Sequence, residues 1–304
     1  MILSRELKRD ARQPLALAIG FFDGMHRGHQ DIARQTLRLR KPGYRAGVLT
    51  FANHPATFLR PGSEPPLICT VEERIDGLAA AGFDECFCVE FDEQVASLNA
   101  EAFLRDVLIR DLGVRGVVVG KNFRFGHRRT GDAAMMARIF AESGTVLVPV
   151  ENTADDGERV SSTRIRSAIA RGDMETADRL LGASYELRGR VLFGYGRGQT
   201  LGFPTANMDV PAKLLPKDGV YAATARVDGR DYAALVSIGS NPTFNGEART
   251  IEVWLRDFHA TIYGHELSLR ELRYVREQRK YETVEELLAQ MRNDTAAVAY
   301  PAYG

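Results

Sequence analysis

Three stretches of this 304-residue chain hold the residue types that phosphate chemistry needs. The first is Gly20-Phe21-Phe22-Asp23-Gly24-Met25-His26-Arg27-Gly28-His29, which follows an apolar run and opens a helical pattern. At a helix start the unpaired backbone N–H groups and the positive dipole end form an anion site. Gly28 lies between His26 and His29 and has no Cβ, so a phosphate can come close to the backbone there. A lone histidine would more often be a core or surface residue. Two in His-x-Gly-His, after a strand and before a helix, point to function. A metal pair is the poorer functional reading, since no clear third ligand lies nearby in sequence.

The second stretch is Gly194-Tyr195-Gly196-Arg197-Gly198-Gln199-Thr200-Leu201-Gly202-Phe203-Pro204-Thr205-Ala206-Asn207. Gly196, Gly198 and Gly202 let backbone N–H groups approach phosphate oxygens, and Thr205 and Asn207 offer hard oxygen ligands of the kind Mg2+ prefers. Glycines also serve ordinary turns, so the ordered run Thr-Leu-Gly-Phe-Pro-Thr-Ala-Asn is the more specific part. The third stretch, Ser161-Ser162-Thr163-Arg164-Ile165-Arg166, reads first as a helix cap. Capping accounts for one hydroxyl and not for three with Arg166 three residues on. Together, Ser162, Thr163 and Arg166 could bind a second phosphate region of the same nucleotide. Two further segments carry candidates: residues 121–129, rich in cations and aromatics and containing Asn122, and residues 251–258, where Glu252 alternates with apolar residues. The plain reading of the former is a solvated loop, and of the latter a solvent-facing strand side chain.

Two elements sets must position these groups. The first half alternates strand-like runs (15–19, 46–51, 85–91, 116–119, 145–150) with helical patterns (28–39, 71–81, 100–112, 132–142). That alternation predicts a doubly wound parallel sheet, with ligands beyond the carboxyl ends of its strands. Helices are expected over 164–172 and 174–181. From 185 onward the runs become short and β-rich (185–193, 219–227, 230–238, 250–256, 266–274), with Asp228-Gly229 as a hairpin signal. They predict a small antiparallel β-barrel closed by a terminal helix over 283–291, capped by Thr283 with Glu286 as its partner. The fold class is α/β, and the expected domains are 1–182 and 183–304.

Forty basic and forty acidic residues cancel, so no global field favours nucleic acid or a membrane surface, and phosphate recognition must be local. Three cysteines argue for a reducing compartment, and Cys86 and Cys88 read as core side chains on one strand face. With no apolar run of spanning length and no secretory leader pattern, the chain reads as cytoplasmic, without a nucleic-acid or membrane partner.

The residues from 194 to 207 resemble the signature of riboflavin kinases. Gly-x-Phe-Asp-Gly-x-His-x-Gly-His at 20–29, Asn-Phe-x-Phe-Gly at 122–126 and Ser-Ser-Thr-x-x-Arg at 161–166 resemble the nucleotidyltransferase half of bacterial bifunctional riboflavin kinase/FAD synthetases. Phe51-Ala52-Asn53-His54-Pro55 is similar to that family's Phe-x-Pro-His-Pro, with Asn53 where proline is usual. The resemblance covers nearly the whole chain in the family's domain order. It implies phosphorylation of riboflavin by ATP to FMN, then transfer of AMP from a second ATP to FMN, releasing pyrophosphate and giving FAD.

On that resemblance Gly20, Phe21, Asp23 and Gly28 line the nucleotide site, with His26 and His29 on the phosphate oxygens and Ser162, Thr163 and Arg166 at the β/γ end. His54 and Asn122 fall on the flavin side. In the kinase half, Thr205 and Asn207 hold Mg2+ and ATP phosphates beneath the 196–202 loop, Glu252 is the base for the ribityl hydroxyl, and Arg276 contacts flavin or nucleotide. The rival readings are an enzyme with one competent half, and a flavin carrier without turnover. A carrier has no need of a base, which the set His26, His29, Thr205, Asn207 and Glu252 argues against.

Overall fold

The computed structural model describes residues 1–10, 13–193, 203–240, 249–296 and 298. The chain divides into two compact units, Met1–Ser162 and Thr163–Gly304.

In the first unit six parallel strands run in the order β1-β4-β3-β2-β5-β6: β1 (Ile2–Ser4), β2 (Leu15–Ile19), β3 (Arg45–Phe51), β4 (Glu85–Val89), β5 (Val114–Gly120) and β6 (Val146–Val150). β2 is apolar throughout and its neighbours β3, β4 and β5 are largely so, because both faces of the sheet are covered. Period two sorts them: Leu15, Leu17, Ile19, Leu49, Phe87 and Val117 pack on one side with Leu104, Leu108 and Phe140. Ala18, Ala46, Val48, Cys86 and Cys88 pack on the other with Ala33 and Leu78. The two cysteines are therefore core side chains on one face, as their spacing predicts.

On that second side lie α1 (Arg27–Arg38) and α3 (Val71–Ala80), the latter opened by a full capping box of Thr70 and Glu73. Between them the short α2 (Pro55–Leu59) follows β3. The helix expected over 100–112 begins as one α-turn and continues as a π-helix, Phe103–Asp111. Strand order reverses between β2 and β5, and β2 has β3 on one side and β5 on the other. In open α/β sheets such a switch point opens a crevice at the carboxyl ends of the strands. A hairpin of β7 (Ala154–Asp155) and β8 (Glu158–Arg159) follows β6, turning through Asp156 and Gly157 at positive φ. Periodicity does not reveal strands of two residues, but the Asp-Gly pair is a turn signal.

The second unit opens with helices Ser162–Arg171 and Met174–Leu181. Six antiparallel strands then close a barrel in the order β10-β13-β12-β11-β14-β9. They are β9 (Leu187–Leu192), β10 (Thr205–Asp209), β11 (Gly219–Val227), β12 (Arg230–Ser240), β13 (Arg249–Leu255) and β14 (Glu266–Arg276). Asp228 and Gly229, both at positive φ, make the expected tight hairpin between β11 and β12. Closure leaves no sheet edge. β10 was not among the expected strands, because its residues read as a phosphate and metal motif. The final helix, Val284–Ala296, runs five residues past the expected end. Asp294 explains the extension: it is buried and chelates Arg276 at the end of β14 (Nη2 to Oδ2 2.6 Å). Thr283 accepts from the Glu286 N–H as predicted, while the Glu286 carboxylate reaches the N–H of Glu282.

Candidate active sites

The loop 20–26 leaves β2 in a strained path, with Phe22, Gly24 and Met25 at φ 57°, 81° and 43°. Such outliers persist only where surroundings fix them. Here the fixing group is Asp23, 1% exposed, whose Oδ1 accepts from the Ile68 and Cys69 N–H groups at 2.9 and 3.1 Å. The Gly24 N–H points to the Cys69 sulfur at 3.1 Å. Burial and the Asp23 carboxylate push that thiol up to about 12, so it stays protonated and unreactive. Ser162 Oγ donates to the Asp23 carbonyl at 3.2 Å, which brings the third sequence stretch onto the first.

His26 is the N-cap of α1, and its Nδ1 accepts from the His29 N–H at 3.3 Å. An accepting Nδ1 leaves the ring proton on Nε2, a donor for an anion. The two imidazoles stack at 3.6 Å between centroids, 15° from parallel. A Cβ on Gly28 would sit 3.2 Å from the His26 ring, so the glycine permits this stacking at close quarters. Burial, with His26, Arg159 and Arg74 nearby, holds His29 well below the usual histidine range. His29 is neutral at pH 7, and its Nδ1 is buried without a partner among the described residues.

His26, Gly28, His29 and Ser162 line a cavity of about 210 Å3 with Gly120 at the end of β5, Val150 at the end of β6 and residues 151–153 after it. It occupies the switch-point crevice. Sequence reading missed Asn152, Thr153 and Arg159 of this wall. The hairpin turn at 156–157 was the available signal. Thr153 bonds Asp31 of α1, and Arg27 pairs with Asp155 at 2.9 Å, so the wall is tied to the helix that carries His29.

His54 repeats the capping device: it is the N-cap of α2, its Nδ1 accepts from the Ala56 N–H at 3.0 Å, and Pro55 occupies the first helical turn. Its ring meets Phe21 edge-on at 4.7 Å. The adjacent Asn53 uses both ends of its amide on the Phe91 backbone, at 3.1 and 2.7 Å, which anchors the segment where the family usually has proline. Gly20 lies under the Phe22 ring, which would be 3.1 Å from a Cβ there. Asn122 is exposed in the turn after β5. Gly126 of the same motif is required sterically: φ is 73°, and a Cβ would meet Ala100 at 2.6 Å. Thr163 and Arg166 stand three apart on the first turns of helix Ser162–Arg171, on one face.

In the barrel, Asn207 pairs across strands with Glu252, and Thr205 with Trp254. Ile251, Val253 and Leu255 point inward and are buried, so Glu252 and Trp254 belong to the other, partly covered face. Cross-strand partners share a face, which puts Thr205, Asn207 and Glu252 in one row, with Ser237 of β12 opposite Glu252 on the far side. Arg276 places three guanidinium bonds on Asp294 and one on the Glu277 carbonyl. Gly196, Gly198 and Gly202 lie outside the described residues.

A doubly wound unit with a histidine-lined switch-point cavity, joined to a barrel with a Thr-x-Asn strand beside a carboxylate, defines a two-part nucleotide-handling enzyme. Residues 8–164 match the family model described as FAD synthetase, and residues 181–300 the one described as riboflavin kinase. Proteins named bifunctional riboflavin kinase/FMN adenylyltransferase are similar over almost all of the chain. That from Listeria monocytogenes is 36% identical over 91% of this chain and 89% of its own length. Those from Pseudomonas fluorescens and Escherichia coli K12 are 34% and 32% identical over 92% and 95% of this chain, and 90% and 93% of theirs. A crystal structure described as a macrolide-efflux protein from Streptococcus pneumoniae superposes with a TM-score of 0.87 at 31% identity, covering 97% of each chain. Among the described residues no helix is long and apolar enough to cross a membrane. The chain belongs to the bifunctional riboflavin kinase/FMN adenylyltransferase family. It phosphorylates riboflavin to FMN and adenylylates FMN to FAD, using ATP in both steps.

Proposed function

We propose that adenylyl transfer takes place in the switch-point cavity. An FMN phosphate oxygen attacks the α-phosphorus of ATP, the new P–O bond forms as the bond to pyrophosphate breaks, and no protein nucleophile is needed. Catalysis is then alignment and stabilisation of charge on the phosphate oxygens. His26 donates from Nε2 to those oxygens, the neutral His29 stacks on it, and Ser162 extends the polar wall. Gly20 and Phe21 shape the loop, Asp23 fixes it, and His54 and Asn122 serve the flavin side. The observation that carries this reading is the paired capping geometry of His26 and His54, which gives each ring the same tautomer. Replacing His26 by Gln tests it: FAD formation from supplied FMN should fall while riboflavin phosphorylation continues.

The kinase reaction belongs to the face shared by Thr205, Asn207 and Glu252. Glu252 accepts the ribityl hydroxyl proton as that oxygen attacks the γ-phosphorus. No group of three or more His, Cys, Asp or Glu among the described residues forms a metal site. Mg2+ commonly binds through few protein ligands and completes its shell with water and phosphate, so the Thr205 hydroxyl and Asn207 carboxamide fit it. When bound there, Mg2+ would neutralise charge on the ATP phosphates. The kinase function is assigned to residues 183–304 and adenylyl transfer to 1–182; the riboflavin kinase match begins at residue 181, two residues before that boundary. With three free cysteines and small-molecule substrates alone, the enzyme suits a reducing cytoplasm.

A further inference from the structure

Arg74 lies on α3 and is 1% exposed. One nitrogen, Nη1, donates to two carbonyls: Phe21 O at 3.0 Å and Phe51 O at 2.8 Å. Phe51 ends β3, and Phe21 lies two residues past β2. Arg74 thus ties together two neighbouring strand ends, from which the chain runs on to His26 and His29 on one side and His54 on the other. The guanidinium centre stands 4.2 Å from the centroid of the Phe21 ring, the ring that meets His54 edge-on. Its Nε and Nη2 are buried without hydrogen-bond partners, and Arg74 forms no ion pair among the described residues.

A buried cation without a carboxylate costs stability, which two carbonyl dipoles and one aromatic face offset only in part. A core side chain of the same length could fill the space without that cost. The substrates of this half-reaction, ATP and FMN, bring several negative charges.

We propose that Arg74 is a positioning residue for adenylyl transfer: it clamps the His26–His29 loop to the His54 loop and keeps a positive charge at the sheet's carboxyl edge, balanced when the substrate phosphates bind. The proposal rests on the assignment of those loops to adenylyl transfer. It treats the charge, and not only the shape, of residue 74 as functional. Because Nη1 alone makes both bonds, an ammonium group can replace it, whereas a neutral side chain cannot supply the charge.

The test compares Arg74→Lys, Arg74→Gln and Arg74→Met in the full chain, with melting temperature and riboflavin phosphorylation as checks of integrity. FAD formation from FMN and ATP is measured as separate kcat and KM values. The Lys variant should keep kcat within about threefold, and the folded neutral variants should lose about tenfold or more in kcat, the loss exceeding any change in KM. Parental kcat in a folded neutral variant overturns the proposal, as does a Lys variant no better than the neutral ones at equal melting temperature. If every neutral variant is unfolded, Arg74 belongs to the core alone and the proposal also fails. His29→Ala is run in parallel: if it leaves FAD formation intact, the assignment of the loops is what fails.

Discussion

Asn207 and Glu252 stand directly opposite each other on β10 and β13, so a carboxamide suited to a metal and a carboxylate suited to a proton face the same side of one barrel wall. A solvent-face glutamate on a strand is ordinary, and the sequence alone leaves Glu252 open to that reading. Its register against Asn207 adds a reason for a catalytic role that alternation could not give.

Glu252→Gln should therefore lower FMN formation by about a hundredfold or more, the usual share of a positioned base. The amide keeps the shape and most of the hydrogen bonding, so riboflavin and ATP still bind. FAD formation from supplied FMN should be unchanged. Near-normal FMN production by the Gln variant would return Glu252 to the solvent face.

His29→Ala should reduce FAD formation by at least about tenfold, because it removes the ring stacked on His26 and one wall of the cavity. Riboflavin phosphorylation should stay nearly intact. Separate assays of the two half-reactions decide it; equal loss of both, with circular dichroism unchanged, contradicts a site devoted to one reaction.

The architecture was legible because its signals are local. Uninterrupted apolar runs such as Leu15–Ile19 mark a strand covered on both faces, and Asp228-Gly229 names its own turn. The missed elements lack such signals. Ile2–Ser4 has three residues, and Thr205–Asp209 is strand only because Glu252 and Val191 lie beside it. Among candidate residues, the stacking of His26 on His29 follows from a helix start, where positions three apart are neighbours. Arg74 was not legible: a cation on the buried stripe of α3 looks like a break in the pattern until the carbonyls it bonds are known. Nor was the bonding of Arg276 to Asp294, eighteen residues away in sequence and joined only by the fold.

Gly126→Ala should destabilise the first unit by about 2 kcal/mol or more, combining a left-handed backbone with a Cβ 2.6 Å from Ala100. Thermal or urea unfolding of the first unit reads it directly. A change below about 0.5 kcal/mol would mean that the segment relaxes freely and that the glycine of this motif is not needed for packing.

A fragment of residues 183–304 should phosphorylate riboflavin, and one of 163–304 should do so with a higher melting temperature. The longer fragment keeps Asp178, which accepts from the Tyr185 N–H at 2.7 Å, and Ile169, whose carbonyl accepts from Lys217. It also keeps the helix Met174–Leu181, whose Met174, Ala177 and Leu180 are buried. Two acceptors for N–H groups of residues 183–304, one a carboxylate and one a backbone carbonyl, and an apolar helix face are lost in the shorter one. Equal melting of the two fragments would show that these helices add nothing to the barrel. An inactive longer fragment would place part of the kinase site before residue 163.

The pH dependence of stability should carry the mark of His29. In the unfolded chain this imidazole takes up a proton near its ordinary value of about 6.5, while in the folded chain burial and its cationic neighbours hold it neutral to well below that. Between those two values the unfolded state binds more protons, so stability rises with pH there and is lost as pH falls through about 6.5 toward the folded value. One such proton gives a limiting slope of about 1.4 kcal/mol per pH unit. His29→Phe keeps an aromatic ring against His26 and Phe22 but cannot titrate. Unfolding free energies of the two proteins, measured between pH 7.5 and 5.5, should therefore diverge in slope, the parent falling more steeply on acidification. Parallel slopes would mean that His29 protonates as easily folded as unfolded, and the neutral ring assigned to the cavity wall would have to be given up.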